Sequence, residues 1–334
     1  MKHFLCLTSL LLFAVASSQM ATAKTPDPQP DPQPAHQAGD EALKLNVMIH
    51  LLDLLRINDA EQTAFVDFAL WVSWHDESLA SPGAPPRFFR TNQIWVPNLQ
   101  VTNSLTLTNR RVDVVEVDEA GNAYYRRRLV GTISVPRDLT DFPLDEHRLR
   151  IPIVAAGMNR EVEIVIDERL TGQSESFSIQ EWDVGPGDTE ISEFVAAGER
   201  FPALFYEWEV RRKLGYYIWK VVIPLAMVVM MSWVVFWLDP KQAGPQIGIA
   251  ATSILTLIAY RFTLGFLVPR LSYLTRLDFF ITGASILVFA ALVEALTTVS
   301  LAEERPTLAR RIDVTSRWLF PAAFVAVTVV SFWS

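Results

Sequence analysis

Four long apolar segments crowd the C-terminal part of the chain, at Tyr216–Leu238, Gln246–Val268, Phe279–Ala302 and Trp318–Trp333. A helix of about 20 apolar residues crosses the hydrocarbon core of a bilayer. The first three segments reach that length, and the last ends in aromatic residues suited to a membrane interface. Four in succession, almost without a polar face, are unsuited to a soluble core. They predict an all-α four-helix transmembrane domain over residues 213–334.

The start of the chain reads as an export signal. Lys2 and His3 form a basic entry, Phe4 to Val15 an apolar stretch, and Ala21-Thr22-Ala23 a small-residue cleavage site, so 1–23 reads as a signal peptide. The proline-rich run from Thr25 to Pro34 makes 24–43 an extended leader. The single cysteine is Cys6, inside the signal, so disulfide, thiol and Cys/His zinc chemistry are not expected after it. An exported N-terminus followed by four spans predicts a multi-pass protein of the plasma (inner) membrane, with N-terminal domain and C-terminus extracytoplasmic. Arg305, Arg310, Arg311 and Arg317 fall in the third, inner connection, in keeping with that orientation.

Residues 44–212 follow a different rhythm. Leu45, Val47, Ile49 and Leu51 alternate as in a half-buried strand. Further strands are expected at Thr63–Trp74, Arg111–Val117, Ala123–Val135, Leu149–Val154, Glu161–Ile166 and Leu204–Arg212. Breakers separate them at Pro82-Gly83, Ala120-Gly121-Asn122, Gly157, Gly185-Pro186-Gly187 and Gly198. Short strands without intervening helices predict an all-β sandwich. The formal net charge of −8 is uneven, acidic before the apolar segments and basic within and after them. That excludes a basic nucleic-acid footprint, and the acidic part would attract cations if it surrounds their path. The 5 histidines show no metal-ligand spacing, and no cofactor or metal is expected. No nucleophile elbow, phosphate loop or triad suggests an enzyme.

Three local patterns carry a resemblance. Trp95-Val96-Pro97-Asn98 resembles a W-x-P-D segment, and Phe142-Pro143-Leu144-Asp145 an F-P-x-D loop, of pentameric ligand-gated ion channels. Arg212, Tyr216, Tyr217 and Pro224 fit the entry to that family's first transmembrane helix, and Ser232–Trp237 its inner half. Val135 and Leu149 stand where eukaryotic Cys-loop receptors have paired cysteines, so the chain resembles the prokaryotic members that lack them. The resemblance implies an extracellular immunoglobulin-like ligand-binding sandwich followed by the pore helices, a homopentamer in membrane lipid that passes inorganic ions.

The second apolar segment differs from the others. At helical spacing, Gly248, Thr252, Leu255, Ala259, Phe262 and Phe266 form one stripe, small and polar at the inner end and bulky at the outer end. Small residues also serve close helix packing. The resemblance favours a pore lining, with Leu255 as the ring that gates by dewetting. Ala243–Gly248 carries neither the glutamate ring of cation channels nor the Pro-Ala-Arg segment of anion channels. Gly248 and its nearby proline lean anionic, the acidic N-terminal domain leans cationic, and cations are favoured. Arg261 lies beside the stripe, facing an outer vestibule or a neighbouring helix.

Coupling between domains is implied at Arg212, Asp145 and an acid of the first hairpin turn, taken as Glu61, with Pro269, Arg270, Leu271 and Tyr273 pressing on them. Neutralising Arg212 is then expected to abolish gating with assembly intact. The agonist site is where the chain departs from the family. Thr102, Ala69 and Ala155–Asn159 stand where amine-sensing members place aromatics. Ligand candidates are Thr102, Arg126, Arg128, Phe201, Phe205 and Tyr206. Arg126 and Arg128 suit an anionic ligand or a solvated face; the aromatics suit a ligand or the core. The agonist is left as an unknown small molecule or protons. The alternative is a non-conducting, membrane-anchored periplasmic sensor or binding protein.

Overall fold

Alternation along Leu45, Val47, Ile49 and Leu51 becomes the inward face of β1 (Leu43–Asn58), where all four side chains are buried. The computed structural model describes residues 42–158, 160–239, 241, 243–264 and 271–333. The signal segment and nearly all of the leader, together with Phe266, Pro269 and Arg270, lie outside the described residues.

The first sheet contains β1, β2 (Thr63–His75), β3 (Arg87–Arg90), β5 (Ser104–Asn109), β6 (Val114–Val117), β7 (Asn122–Ser134), β9 (Val162–Ile166) and β10 (Gly172–Gln173). Its path runs β10-β1-β2-β7-β6-β3, with β5 on β7 and β9 on β1. The second sheet, ordered β11-β12-β8-β4, contains β4 (Leu99–Val101), β8 (Glu146–Ala155), β11 (Trp182–Ala196) and β12 (Glu199–Arg212). Inward side chains of both sheets, Phe68, Trp74, Ile151, Tyr206 and Trp208 among them, share one core.

Two differences from the sequence reading have local causes. The strand expected from Arg111 begins only at Val114. Asn109 folds the preceding residues into a turn, accepting from Arg111 N–H at 3.1 Å and donating to Asp113 Oδ1 at 2.6 Å. Gly185-Pro186-Gly187, expected to break the chain, lies inside β11. The register with β12 jumps between Val184 and Gly187, a bulge that absorbs the proline on an edge strand. Gly187 has to be small there, since a Cβ would fall 2.1 Å from Tyr206 Oη.

Four helices follow: α1 (Gly215–Trp237), α2 (Ala243–Leu264), α3 (Arg276–Leu301) and α4 (Pro306–Trp333), each long and apolar enough to cross a membrane. The last begins well before the expected Trp318. Pro306 sits at its start, where a missing N–H costs nothing, and Arg310, Asp313 and Arg317 extend it as a polar first third. Val221, Leu225, Leu257, Leu277, Phe280 and Val288 pack α1, α2 and α3 together near the sandwich. Leu139 and Phe142 of the β7–β8 loop enter the same cluster, so loop and helices share a core.

Candidate functional site

Where β12 ends and α1 begins, the chain buries an arginine among two carboxylates. Arg212 Nε and Nη2 donate to Asp145 Oδ1 and Oδ2 at 2.7 and 2.9 Å. Nη1 and Nη2 donate to Asp59 Oδ2 and Oδ1 at 2.9 and 3.0 Å, and Nη1 also to Tyr217 Oη at 3.2 Å. Every N–H of the guanidinium is thereby used, in two forked pairs that only its planar geometry can make. The rings of Trp182 and Phe142 lie over it at 4.1 and 4.7 Å. Its side chain is 2% exposed.

Each partner comes from a different element. Asp59 stands in the β1–β2 turn, Asp145 at the end of the β7–β8 loop, Arg212 at the end of β12 and Tyr217 in the first turns of α1. Among the sequence candidates, Asp145 and Arg212 meet. Glu61 does not join them: it is exposed, its N–H held by Asn58 Oδ1 at 3.2 Å, and Asp59 takes its place. Position in the turn cannot separate two acids two residues apart. Direction decides, and Asp59 points at Arg212 and Arg137.

Arg137 and His147 complete the cluster, neither foreseen in the sequence. Arg137 Nη1 is 3.0 Å from Asp59 Oδ1, with its side chain 2% exposed. His147 Nε2 donates to Asp145 Oδ2 at 2.7 Å. Two guanidiniums therefore face two carboxylates, which limits the cost of burying four charges. Alternation places His147 inward, beside Trp182, but nothing in the local sequence distinguishes Arg137 from other loop arginines.

Burial alone would raise the Asp145 carboxyl, yet hydrogen bonds from His147 and Arg212, and the charge of Arg212, hold it well below its usual 3.8. A depressed folded value stabilises the protein above the unfolded value, and that contribution disappears only as pH falls through the folded one. The stability difference between the parent and Asp145→Asn should therefore stay constant from neutral pH down to about 5 and shrink only in stronger acid. Thermal unfolding across pH measures it; a difference vanishing in mild acid would contradict this electrostatic account.

The loop that carries Asp145 also rests on the helices. Arg276 N–H donates to Thr140 O at 3.0 Å, Leu277 N–H to Phe142 O at 3.1 Å, and Leu139 N–H to Tyr273 Oη at 2.9 Å. Arg276 Nε adds a bond to Asp141 Oδ1 at 2.7 Å. The start of α3 is fixed by a capping box between Thr275 and Asp278. One loop thus joins β12, α1 and α3.

Along α2, Gly248, Thr252, Leu255, Ala259 and Phe262 are exposed, whereas Ala250, Ser253, Leu257 and Leu264 turn into the bundle. Leu255 and Phe262 are 67% and 74% exposed in the protomer. Thr252 and Thr256 hydroxyls donate to Gly248 O and Thr252 O, each at 2.8 Å. Their hydroxyl protons are satisfied within the helix, on residues that the protomer leaves exposed.

The six ligand candidates do not converge within the protomer. Arg126 bonds Glu116 and lies 5.8 Å from the Trp71 ring. Arg128 makes a forked pair with Asp67 at 2.7 and 3.0 Å, so neither is a free cation. Tyr206 belongs to the sandwich core and donates to Gly172 O at 2.9 Å. Phe201 and Phe205 lie in a smaller cluster with Val154 and Phe194. The Arg150 guanidinium lies 4.7 Å from the Phe205 ring, so the chain's own cation takes that face. Thr102 is exposed and donates its N–H to Pro152 O at 3.2 Å.

Comparison with known proteins covers both parts of the chain. Residues 29–194 match the neurotransmitter-gated ion-channel ligand binding domain, and residues 221–307 the neurotransmitter-gated ion-channel transmembrane region. The chain is 22% identical over 299 residues to a proton-gated ion channel of Gloeobacter violaceus, covering 87% of this chain and 83% of that protein. It is 26% identical over 268 residues to a gamma-aminobutyric acid receptor subunit beta of Caenorhabditis elegans, and 22% over 272 residues to gamma-aminobutyric acid receptor subunit beta-4 of Gallus gallus. Both matches cover 77% of this chain but only 49% and 55% of those receptors.

Proposed function

The chain belongs to the neurotransmitter-gated ion-channel family and is a ligand-gated ion channel subunit with four transmembrane helices, not an enzyme; from this premise we propose that five identical copies ring a cation pore lined by α2. A stimulus at the sandwich reaches the pore through Arg212, Asp145 and Asp59. The four helices cross the plasma (inner) membrane, with the sandwich and the C-terminus outside the cytoplasm.

The observation that carries this reading is the uncovered stripe of α2. The protomer buries one side of that helix and leaves Gly248, Thr252, Leu255, Ala259 and Phe262 without a partner. Hydroxyl oxygens at one end and bulky apolar groups at the other suit a lumen that is wet below and dewetted at its constriction. The acidic sandwich supports cations through its field. The stimulus is a proton or a small molecule recognised without an aromatic amine cage, because Thr102 is not aromatic and Arg150 lies over Phe205.

Current recording from reconstituted protein, across pH steps and a small-molecule panel in an asymmetric salt gradient, tests the proposal. Evoked current should reverse near the cation equilibrium potential. Reversal near that of chloride would overturn the selectivity. A solubilised protein that sizes as a monomer and passes no current would instead favour a non-conducting sensor.

A further inference from the structure

Two carboxyl side chains meet between α3 and α4, in the half of the bundle remote from the sandwich. Glu294 projects from α3 and Asp313 from α4, near enough that each carboxyl acts on the other. Asp313 is 1% exposed. Glu294 Oε1 and Oε2 and Asp313 Oδ1 are buried with no donor in bonding geometry. Thr298 spends its hydroxyl on the main-chain carbonyls of Glu294 and Ala295, 3.1 Å each. Ser316 lies beside Glu294 and Thr298 beside Asp313.

The charged groups around the pair do not supply the missing donor. Arg317, one turn along α4, brings positive charge toward Asp313 but donates its Nε to Phe236 O at 2.9 Å and lies 4.7 Å from the Trp237 ring. Asp239, in the α1–α2 connection, brings further negative charge toward Asp313. Among the described residues, no lysine or arginine bridges either carboxyl. The protomer's own helices cover the unpartnered oxygens, so a neighbouring subunit cannot reach them.

Two acceptors in contact become a bonded pair when one proton lies between them, as O–H···O⁻; without it they are two like charges in a medium of low dielectric. We propose that Glu294 and Asp313 share a single proton, forming a protonation site through which pH at the remote end of the bundle sets the packing of α3 against α4. Asp313 also lines a cleft of about 560 Å³ with Asp239, Lys241, Arg310 and Arg317, a path by which protons reach it. The opposite end of α3 holds the β7–β8 loop through Leu277 and Phe142, so a change in α3 packing is transmitted to the junction. The site itself does not depend on conduction.

Infrared difference spectra of the reconstituted full-length protein, between mildly acidic and mildly alkaline buffer, test the proposal. A protonated-carboxyl band should respond to pH and be lost or shifted in both Glu294→Gln and Asp313→Asn. The thermal unfolding midpoint of the parent should fall as pH rises, while that of the double variant stays level. A variant that fails to fold leaves the other with the same readout, and the parent spectrum stands alone. Absence of the band, or its indifference to both substitutions, would overturn the shared proton. So would a midpoint that follows sodium or calcium at fixed pH, which would make this a metal-cation site.

Discussion

Arg212→Gln is expected to abolish stimulus-evoked current and to lower folding stability by about 3–5 kcal/mol, the usual loss when one partner of a buried ion pair is removed. The substitution removes the cation to which both acids fork, leaving Asp59 only Arg137 and Asp145 only His147 in a space closed by Trp182 and Phe142. This revises the expectation that assembly would be indifferent to the change, since an arginine this buried holds the fold as well as the junction. Arg212→Lys should not rescue, because one ammonium cannot fork to two carboxylates on opposite sides. Adding Asp145→Asn to Arg212→Gln removes one carboxylate for the one cation lost and keeps the Arg137–Asp59 pair, so part of the stability should recover while current stays absent. Thermal unfolding and current recording on the same preparations separate the two effects. Full current in a well-folded Arg212→Gln protein would remove this cluster from the gating path.

What the sequence disclosed about this junction follows from the range of its signals. The apolar segments and the alternation of β1 are local patterns, and both survive folding, with every boundary but the start of α4 moved by a few residues. β11 stayed hidden because it is an exposed edge strand with a bulge at Gly185-Pro186-Gly187, where local chemistry reads as a stop. The extra length of α4 was hidden by its charges, since hydropathy sees the membrane and not the helix. Arg212 and Asp145 were legible through motifs with fixed spacing. Asp59 and Arg137 were not, because their importance arises from meeting residues distant in sequence, Arg212 above all. The Glu294–Asp313 pair lies on two helices whose separate sequences show each acid as a lone charge. Only packing of α3 on α4 reveals them as neighbours.

Leu255→Ala is the second large effect expected, a channel that leaks without stimulus and responds to less of it. In the protomer Leu255 is 67% exposed, on the side of α2 that the bundle leaves bare. In a ring of five copies that apolar surface would face its own symmetry mates across a narrow lumen. Burying one methylene contributes about 0.8 kcal/mol. Even that much per subunit, repeated five times by the proposed symmetry, amounts to about 4 kcal/mol and shifts the closed-to-open ratio roughly a thousandfold. Removing the isobutyl groups also widens the constriction and lowers the penalty for wetting it. Leu257→Ala, on the buried side of the same helix, should act differently, losing stability without a comparable leak. Resting current before any stimulus is the deciding measurement: if Leu255→Ala matches the parent in both leak and sensitivity, the gate lies elsewhere along α2.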